Sequence, residues 1–290
     1  MSSPIGRNVC RRNVCKTDEI AKKTMTDHPI GLFDSGVGGL TVAHAISSIL
    51  PGEQLLYYGD TAHLPYGDKS KETIIKYSTG ISDFLLEKGC KVILIACNSA
   101  SANAYREVKK HVGDRAVVLN VVDPVIEYVA GAPDVKEVGV IGTRATIDSN
   151  SYRDGLLKRN SSLKISSMAT PLFVPMIEEG FVFDDISNAV VRSYLSRREL
   201  NDIDTLILGC THYPIIKNQI SRYYNFEVNV IDSAHIVAEY LRKYLKEHDL
   251  LATKRSGSNA YYVSDHTPSF ETIANMFFNE KIKLRKESIW

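Results

Sequence analysis

Two short stretches of this 290-residue chain place a cysteine where a strand gives way to a helix. Val92-Ile93-Leu94-Ile95-Ala96-Cys97-Asn98-Ser99 leads into a helical pattern starting near Ala100, and Thr205-Leu206-Ile207-Leu208-Gly209-Cys210-Thr211-His212 leads into one starting near Pro214. A residue after a parallel strand and ahead of a helix lies at the carboxyl edge of the sheet, where open α/β folds bind ligands. The unpaired N–H groups and partial positive charge of the helix favour a thiolate there and lower a cysteine pKa from its usual value of about 8.5. Both Cys97 and Cys210 are expected to gain that environment. A free cysteine is otherwise a small buried hydrophobe, and it is the equivalent placement of two in a repeat that turns the reading toward chemistry. Cys90 lacks the context and reads as structural. Two thiols facing each other across a small cleft suit the inversion of a carbon that bears an acidic hydrogen, because one group must take a proton from one face while the other delivers one to the opposite face. Disulfide exchange is the rival chemistry, but it usually employs Cys-x-x-Cys, which this separation does not supply.

Other loops at strand ends add candidates. Asp34-Ser35-Gly36-Val37-Gly38-Gly39 follows the first strand and precedes a helix from Leu40. Its glycines allow close backbone approach to an anion at a helix N-terminus. Thr41 stands where a dinucleotide fingerprint needs its third glycine, and no Gly-Lys-Ser/Thr follows, so a carboxylate fits better than a nucleotide. Asp34 suits an ammonium group or a neighbouring acid/base, and equally a helix cap. Asp60-Thr61-Ala62-His63-Leu64-Pro65-Tyr66-Gly67 offers a phenol and a free backbone N–H, though alone it is an ordinary turn. His212 reads as an acid/base partner of Cys210; as a zinc ligand it would need further ligands that the sequence does not nominate, so no metal is expected.

These residues need elements to position them. Ile30–Phe33, Gln54–Tyr58, Val92–Ala96, Val117–Val121, Glu137–Ile141, Leu163–Ser167, Thr205–Leu208, Val228–Ile231 and Ala260–Val263 read as strands. Mostly uninterrupted apolar strands imply burial on both faces, hence a parallel sheet covered by helices and the α/β class. Between them 72–88, 100–111, 184–199, 214–224, 233–247 and 268–279 carry helical spacing, as in Ile74, Tyr77, Ile81, Phe84 and Leu85. Because the two cysteine motifs lie about one domain apart, the expected architecture is two pseudo-symmetric parallel-sheet α/β domains with the active site in the cleft between them. Residues 25–121 with 231–290 are expected to form the first domain and 122–230 the second.

The chain carries 35 Lys+Arg against 34 Asp+Glu, and 44% of it is hydrophobic. The composition suits an ordinary globular protein, and the charge balance argues against nucleic acid as a partner. Residues 1–24 lack hydrophobic periodicity and echo Arg7-Asn8-Val9-Cys10 in Arg12-Asn13-Val14-Cys15, which reads as a disordered extension rather than half a metal site or a targeting peptide, with Met25 a candidate start. Without that basic stretch the remainder holds 29 bases and 32 acids, a net charge of −3. Five scattered cysteines without a signal segment suit a reducing cytoplasm. No apolar run approaches the roughly 18 residues that span a bilayer, so no membrane partner is expected.

Taken in order, Phe33-Asp34-Ser35-Gly36-Val37-Gly38-Gly39-Leu40, Tyr58-Gly59-Asp60 with Pro65-Tyr66-Gly67, Ala96-Cys97-Asn98-Ser99-Ala100-Ser101 and Gly209-Cys210-Thr211-His212-Tyr213-Pro214 resemble the successive motifs of the bacterial glutamate racemases, within the cofactor-independent aspartate/glutamate racemase superfamily. The likeness runs from about Ile30 to beyond Ser264. It implies an isomerase without pyridoxal phosphate or other cofactor, which interconverts L- and D-glutamate to supply peptidoglycan synthesis, and it implies a homodimer. By the same resemblance Cys97 takes the α-proton of D-glutamate and Cys210 that of L-glutamate. Asp34 assists the first; His212, with Glu178, assists the second. Ser35, Tyr66, Gly67, Asn98, Ser99 and Thr211, together with Asp34 and His212, hold the substrate, and Thr143 is a further candidate. Ser99 stands where the family more often has Thr, which keeps the hydroxyl and loses a methyl. The alternatives are a racemase of aspartate or another amino acid, in which the residue after the second Cys-Thr tends to be Glu rather than His, or a partner-binding member of the fold of the kind reported to modulate DNA gyrase.

Overall fold

The computed structural model describes residues 26–278 and 280–290, so the expected extension at 1–24, with Cys10 and Cys15, and Met25 lie outside the described residues. Among the described residues ten strands form two sheets, parallel throughout. The first holds β1 (Ile30–Asp34), β2 (Leu55–Gly59), β3 (Val92–Ile95), β4 (Val117–Asn120), β9 (Ala260–Val263) and β10 (Leu284–Lys286), in the order β10-β9-β2-β1-β3-β4. The second holds β5 (Glu137–Gly142), β6 (Lys164–Ala169), β7 (Thr205–Gly209) and β8 (Asn229–Ile231), in the order β6-β5-β7-β8. The α/β class and the two parallel-sheet halves are as expected.

The reason is visible in the alternation of the central strands. Ile30 and Leu32 of β1 and Leu94 of β3 point into one apolar cluster, while Phe33, Ile93 and Ile95 point into another on the opposite face. Each such side chain contributes about 1.5–3 kcal/mol when removed from water, so these strands are stable only with helices on both sides. Helices α1 (Leu40–Ile49) and α10 (Ser233–Glu247) pack together, as do α2 (Lys71–Glu87) and α3 (Asn98–Val112). In the second half α4 (Val122–Ala130), α5 (Arg144–Asp148), α6 (Ser151–Arg159), α7 (Phe173–Glu178), α8 (Asp185–Leu195) and α9 (Lys217–Tyr223) surround the smaller sheet, and α11 (Pro268–Phe278) returns to the first.

Strand order decides where the loops meet. From β1 the chain crosses to β2 on one side and to β3 on the other, so the carboxyl ends of β1 and β3 flank a crevice of the kind in which open sheets bind ligands. The second sheet repeats this: β5 crosses to β6 on one side and β7 on the other. Asp34-Ser35 and Cys97 therefore leave one switch point, and Thr143 and Cys210 leave the other.

Two local expectations are corrected. The helix after Cys97 begins at Asn98, with Cys97 as its cap, rather than near Ala100. After Cys210 there is no α-helix at Pro214: Tyr213–Ile216 is a tight 3₁₀ turn, and α9 starts at Lys217. Pro214, which has no N–H to donate, sits in the first turn of that 3₁₀ segment, and the N–H of Tyr213 donates to the Cys210 carbonyl (3.2 Å). Strand β10 has only Leu284 buried among three residues, which is why no apolar run announced it.

Candidate active site

The two switch points face each other across a narrow cavity of about 30 Å³, lined from the first half by Ser35, Gly36, Leu64–Gly67 and Cys97–Ser99, and from the second by Thr143, Val174, Glu178 and Cys210–His212. That volume holds about one water. All candidates drawn from the sequence reach this cavity except Asp34, which lies behind it.

On the first side Cys97 is 5% exposed and its thiol donates to Ser35 Oγ (3.7 Å). Asp34 is wholly buried; its Oδ1 accepts from the Gly36 N–H (2.8 Å), and its Oδ2 from the Thr211 hydroxyl of the opposite half (3.4 Å). Burial raises the Asp34 carboxyl above its ordinary value, against the pull of His212 and of the Gly36 and Gly39 N–H groups. Burial, and next the Asp34 carboxylate, push the Cys97 thiol up to about 12, although the Ala100 N–H and Ser35 favour its thiolate. The expected depression of this thiol is thus overturned: a helix N-terminus offers a few partial charges, whereas a dry site beside a carboxylate penalises the thiolate more.

The second side is built differently. His212 is 5% exposed, its Nδ1 lies 3.8 Å from Cys210 Sγ, and its Nε2 lies 2.9 Å from Glu178 Oε1. Burial opposes the imidazolium, but hydrogen bonds to Cys210 and Glu178 and their charges more than offset it, raising His212 to about 10. The protonated ring directs one N–H toward the Cys210 sulfur and the other toward the Glu178 carboxylate. Phe277 of α11 packs edge-on against it, with ring centroids 5.0 Å apart.

Glycines set how closely the halves approach. A Cβ at Gly38 would lie 2.5 Å from His212 Cε1 and Nδ1 and 2.6 Å from Thr211 Oγ1; one at Gly67 would lie 2.8 Å from Thr143 Cβ. The first of these glycines, expected to make room for an anion, instead makes room for the imidazole of the other half.

Hydrogen-bond donors converge on the same cavity. Ser99 Oγ, Thr143 Oγ1 and Thr146 Oγ1 form a ring of hydroxyls, with Ser99 to Thr143 at 2.8 Å and Thr143 to Thr146 at 3.1 Å. Asn98 Oδ1 accepts from the Tyr152 hydroxyl (2.7 Å), which leaves its Nδ2 buried with no hydrogen-bond partner. A buried amide N–H₂ without a partner costs about 1–3 kcal/mol, so Nδ2 is poised for a ligand oxygen. Tyr66 supplies a wall rather than its phenol, because its hydroxyl donates to Asp60 Oδ2 (2.6 Å). Tyr152, Thr146 and the anchoring role of Asp60 were not evident in the sequence. Tyr152 follows the polar run Ser149-Asn150-Ser151, and only the packing of α6 against the Cys97 loop brings it to Asn98. Among the described residues no group of three or more His, Cys, Asp and Glu side chains could hold a metal ion.

Residues 39–241 match the family model for Asp/Glu/hydantoin racemases. The glutamate racemase of Chlorobaculum parvum is 40% identical over 255 residues, covering 88% of this chain and 93% of that protein. Among solved structures, glutamate racemase from Francisella tularensis subsp. tularensis in complex with D-glutamate superimposes with a TM-score of 0.85 at 39% identity, covering 91% of this chain and 98% of that one. The Thermus thermophilus glutamate racemase in complex with β-chloro-D-alanine gives 0.81 at 36% identity, over 91% and 98%. Two facing switch points, each presenting a cysteine, and likeness over nearly the whole described chain place this protein in one group: it belongs to the Asp/Glu/hydantoin racemase family.

Proposed function

We propose that the protein is a glutamate racemase, interconverting L- and D-glutamate by proton transfer at the α-carbon and so supplying D-glutamate for peptidoglycan. The observation that carries the mechanism is the paired arrangement: Cys97 and Cys210 line one cavity from opposite halves, the first coupled to a buried carboxylate, the second bonded to His212. With D-glutamate, Asp34 takes the Cys97 thiol proton and the resulting thiolate removes the α-proton. Cys210 delivers its own proton to the opposite face of the carbanion, and His212 restores it. With L-glutamate the direction reverses. The α-hydrogen of an amino acid is a very weak acid, so oriented donors in a water-poor site must stabilise the developing charge. Asn98 Nδ2, the Ser99–Thr143 hydroxyls, Ser35, Thr211 and the Gly67 backbone N–H are placed to hold the carboxylates, and Asp34 to favour the ammonium.

A cavity with room for about one water does not admit glutamate, so the halves part for entry and close over the substrate. We assign the moving bodies to residues 25–121 with 231–290 and to 122–230. Among the described residues no helix is long and apolar enough to cross a membrane, and Cys90, Cys97 and Cys210 are free thiols; both support a cytoplasmic enzyme. Exposed Leu172, Phe181, Phe183 and Ile186 around α7 and α8 support self-association as a homodimer. The near-neutral charge supports a small-molecule substrate over nucleic acid.

The test is incubation of the protein with each glutamate enantiomer in D₂O, following optical activity and α-deuterium together. Wild type loses optical activity while gaining one deuterium at the α-carbon, and Cys97→Ala and Cys210→Ala do not racemise. Wild type that leaves both glutamates unchanged but racemises aspartate would give the site to the smaller substrate. Inactivity on all amino acids would favour a partner-binding role.

A further inference from the structure

Asp60 follows β2 and has no solvent exposure, yet no proposed step uses it. Its carboxylate is the hub of a network behind the cleft wall. Oδ2 accepts from the Tyr66 hydroxyl (2.6 Å), while Oδ1 accepts from Ser264 Oγ (2.9 Å), His63 Nδ1 (2.9 Å) and the Trp290 indole Nε1 (3.2 Å). The Asp60 N–H donates to the Asp34 carbonyl (3.0 Å), so the hub is also fastened to the strand end that carries the Cys97 partner.

Trp290 reaches the same wall by a second route. Its ring lies edge-on to His63 and Tyr77, at 5.2 and 5.3 Å between centroids, and Tyr77 stacks on Tyr66 at 5.8 Å. The seat for the indole is built into α2: a Cβ at Gly80 would lie 2.8 Å from the indole Cη2. Glycine in a helix interior costs about 1 kcal/mol relative to alanine, and here that cost is matched by a packing requirement. Trp290 is also the chain's one tryptophan.

We infer that Asp60 and Trp290 are positioning residues, which hold the cleft wall Leu64–Gly67 in register through the phenol of Tyr66, so that a residue remote in sequence sets the shape of the substrate site. Both routes from Trp290 end on Tyr66, and Gly67 beside it meets Thr143 of the other half. Loss of the indole would let the wall relax away from the cleft, weakening substrate binding and opening Cys97 to reagents while leaving the reacting groups in place. The kinetic consequence rests on the proposed racemase activity; the accessibility of Cys97 does not.

The experiment compares full-length wild type with Trp290→Phe, which keeps a ring without the N–H, and Trp290→Ala, which keeps neither. Steady-state racemisation is measured from each glutamate enantiomer. In parallel, iodoacetamide labelling rates of Cys97 and Cys90 are followed by peptide mass spectrometry, with Cys90, buried outside the cleft, as the internal monitor of global opening. Trp290→Ala should raise KM about tenfold with kcat within about twofold, and Trp290→Phe should raise it about threefold, the pattern of lost uniform binding. The Cys97:Cys90 labelling ratio should rise about fivefold in Trp290→Ala and less in Trp290→Phe, scaled to the binding loss. A merely structural role would lower Tm and raise both labelling rates together. The inference is overturned if that ratio is unchanged in Trp290→Ala, or if an active variant keeps the wild-type KM. Should wild type show no glutamate turnover, the racemase reading fails and the labelling ratio alone decides for or against the positioning role.

Discussion

Replacing Gly38 by alanine tests the closed cleft directly. The new methyl would stand 2.5 Å from two atoms of the His212 ring, whereas carbon contacts are relaxed at about 3.5–4.0 Å. The ring must therefore move about 1 Å, and it cannot do so freely, being bonded at 2.9 Å to Glu178 and packed on Phe277. Such a displacement breaks its geometry with Cys210, and misplacement of about 1 Å costs about a hundredfold in rate, or about 2.7 kcal/mol. Tm should fall by no more than a few degrees, because the substitution removes no buried apolar group. The assay is kcat/KM from both enantiomers beside thermal unfolding, with Gly52→Ala as control, since a Cβ there meets nothing within 4 Å. The same substitution placed on a His212→Ala background should cost less than the two separate losses added, because the ring it strikes is gone and only the Thr211 hydroxyl, 2.6 Å from the new methyl, still has to give way. Gly38→Ala with wild-type kcat/KM, or a full additional loss on that background, would refute the proposed contact.

The same geometry sets three other expectations. Asp34→Asn removes the charge that helps hold the Cys97 thiol at about 12, so the pH midpoint of Cys97 alkylation should fall while racemisation drops by about 10²–10⁴; a midpoint that rises or stays put would contradict the coupling. His212 is raised from 6.5 to about 10. The stability its protonated form contributes is therefore whole below pH 6.5 and lost as pH climbs toward about 10, which should appear as a wild-type Tm decline across that window that is shallower in Glu178→Gln. Tyr152→Phe removes the donor to Asn98 Oδ1 and should raise KM about fivefold, near the 1 kcal/mol of one such bond, with kcat little changed.

Much of this protein could be read along the chain because its signals are local. A buried parallel strand must be apolar on both faces, so nine of the strands announced themselves, and β10, with only Leu284 buried, did not. The Cys-Asn-Ser and Cys-Thr-His motifs were legible for the same reason: each is a strand end, and strand ends in such sheets carry ligands. The segment after Cys-Thr-His was harder to read, since a 3₁₀ turn over Tyr213–Ile216 precedes the α-helix that starts at Lys217.

Sequence alone thus determined the α/β class and marked the two cysteine motifs at strand ends, because period, residue type and spacing act over a few residues. Only the tertiary structure decided their electrostatics. Burial beside Asp34 raises the Cys97 thiol that a helix N-terminus was expected to lower, and hydrogen bonds to Cys210 and to Glu178, far along the chain, raise His212. It also decided that Gly38 faces the opposing half, that Tyr66 gives its hydroxyl to Asp60, and that Tyr152 reaches Asn98 and Trp290 reaches Asp60. Desolvation and long-range contact depend on what the folded chain brings alongside a residue, and no local pattern encodes that.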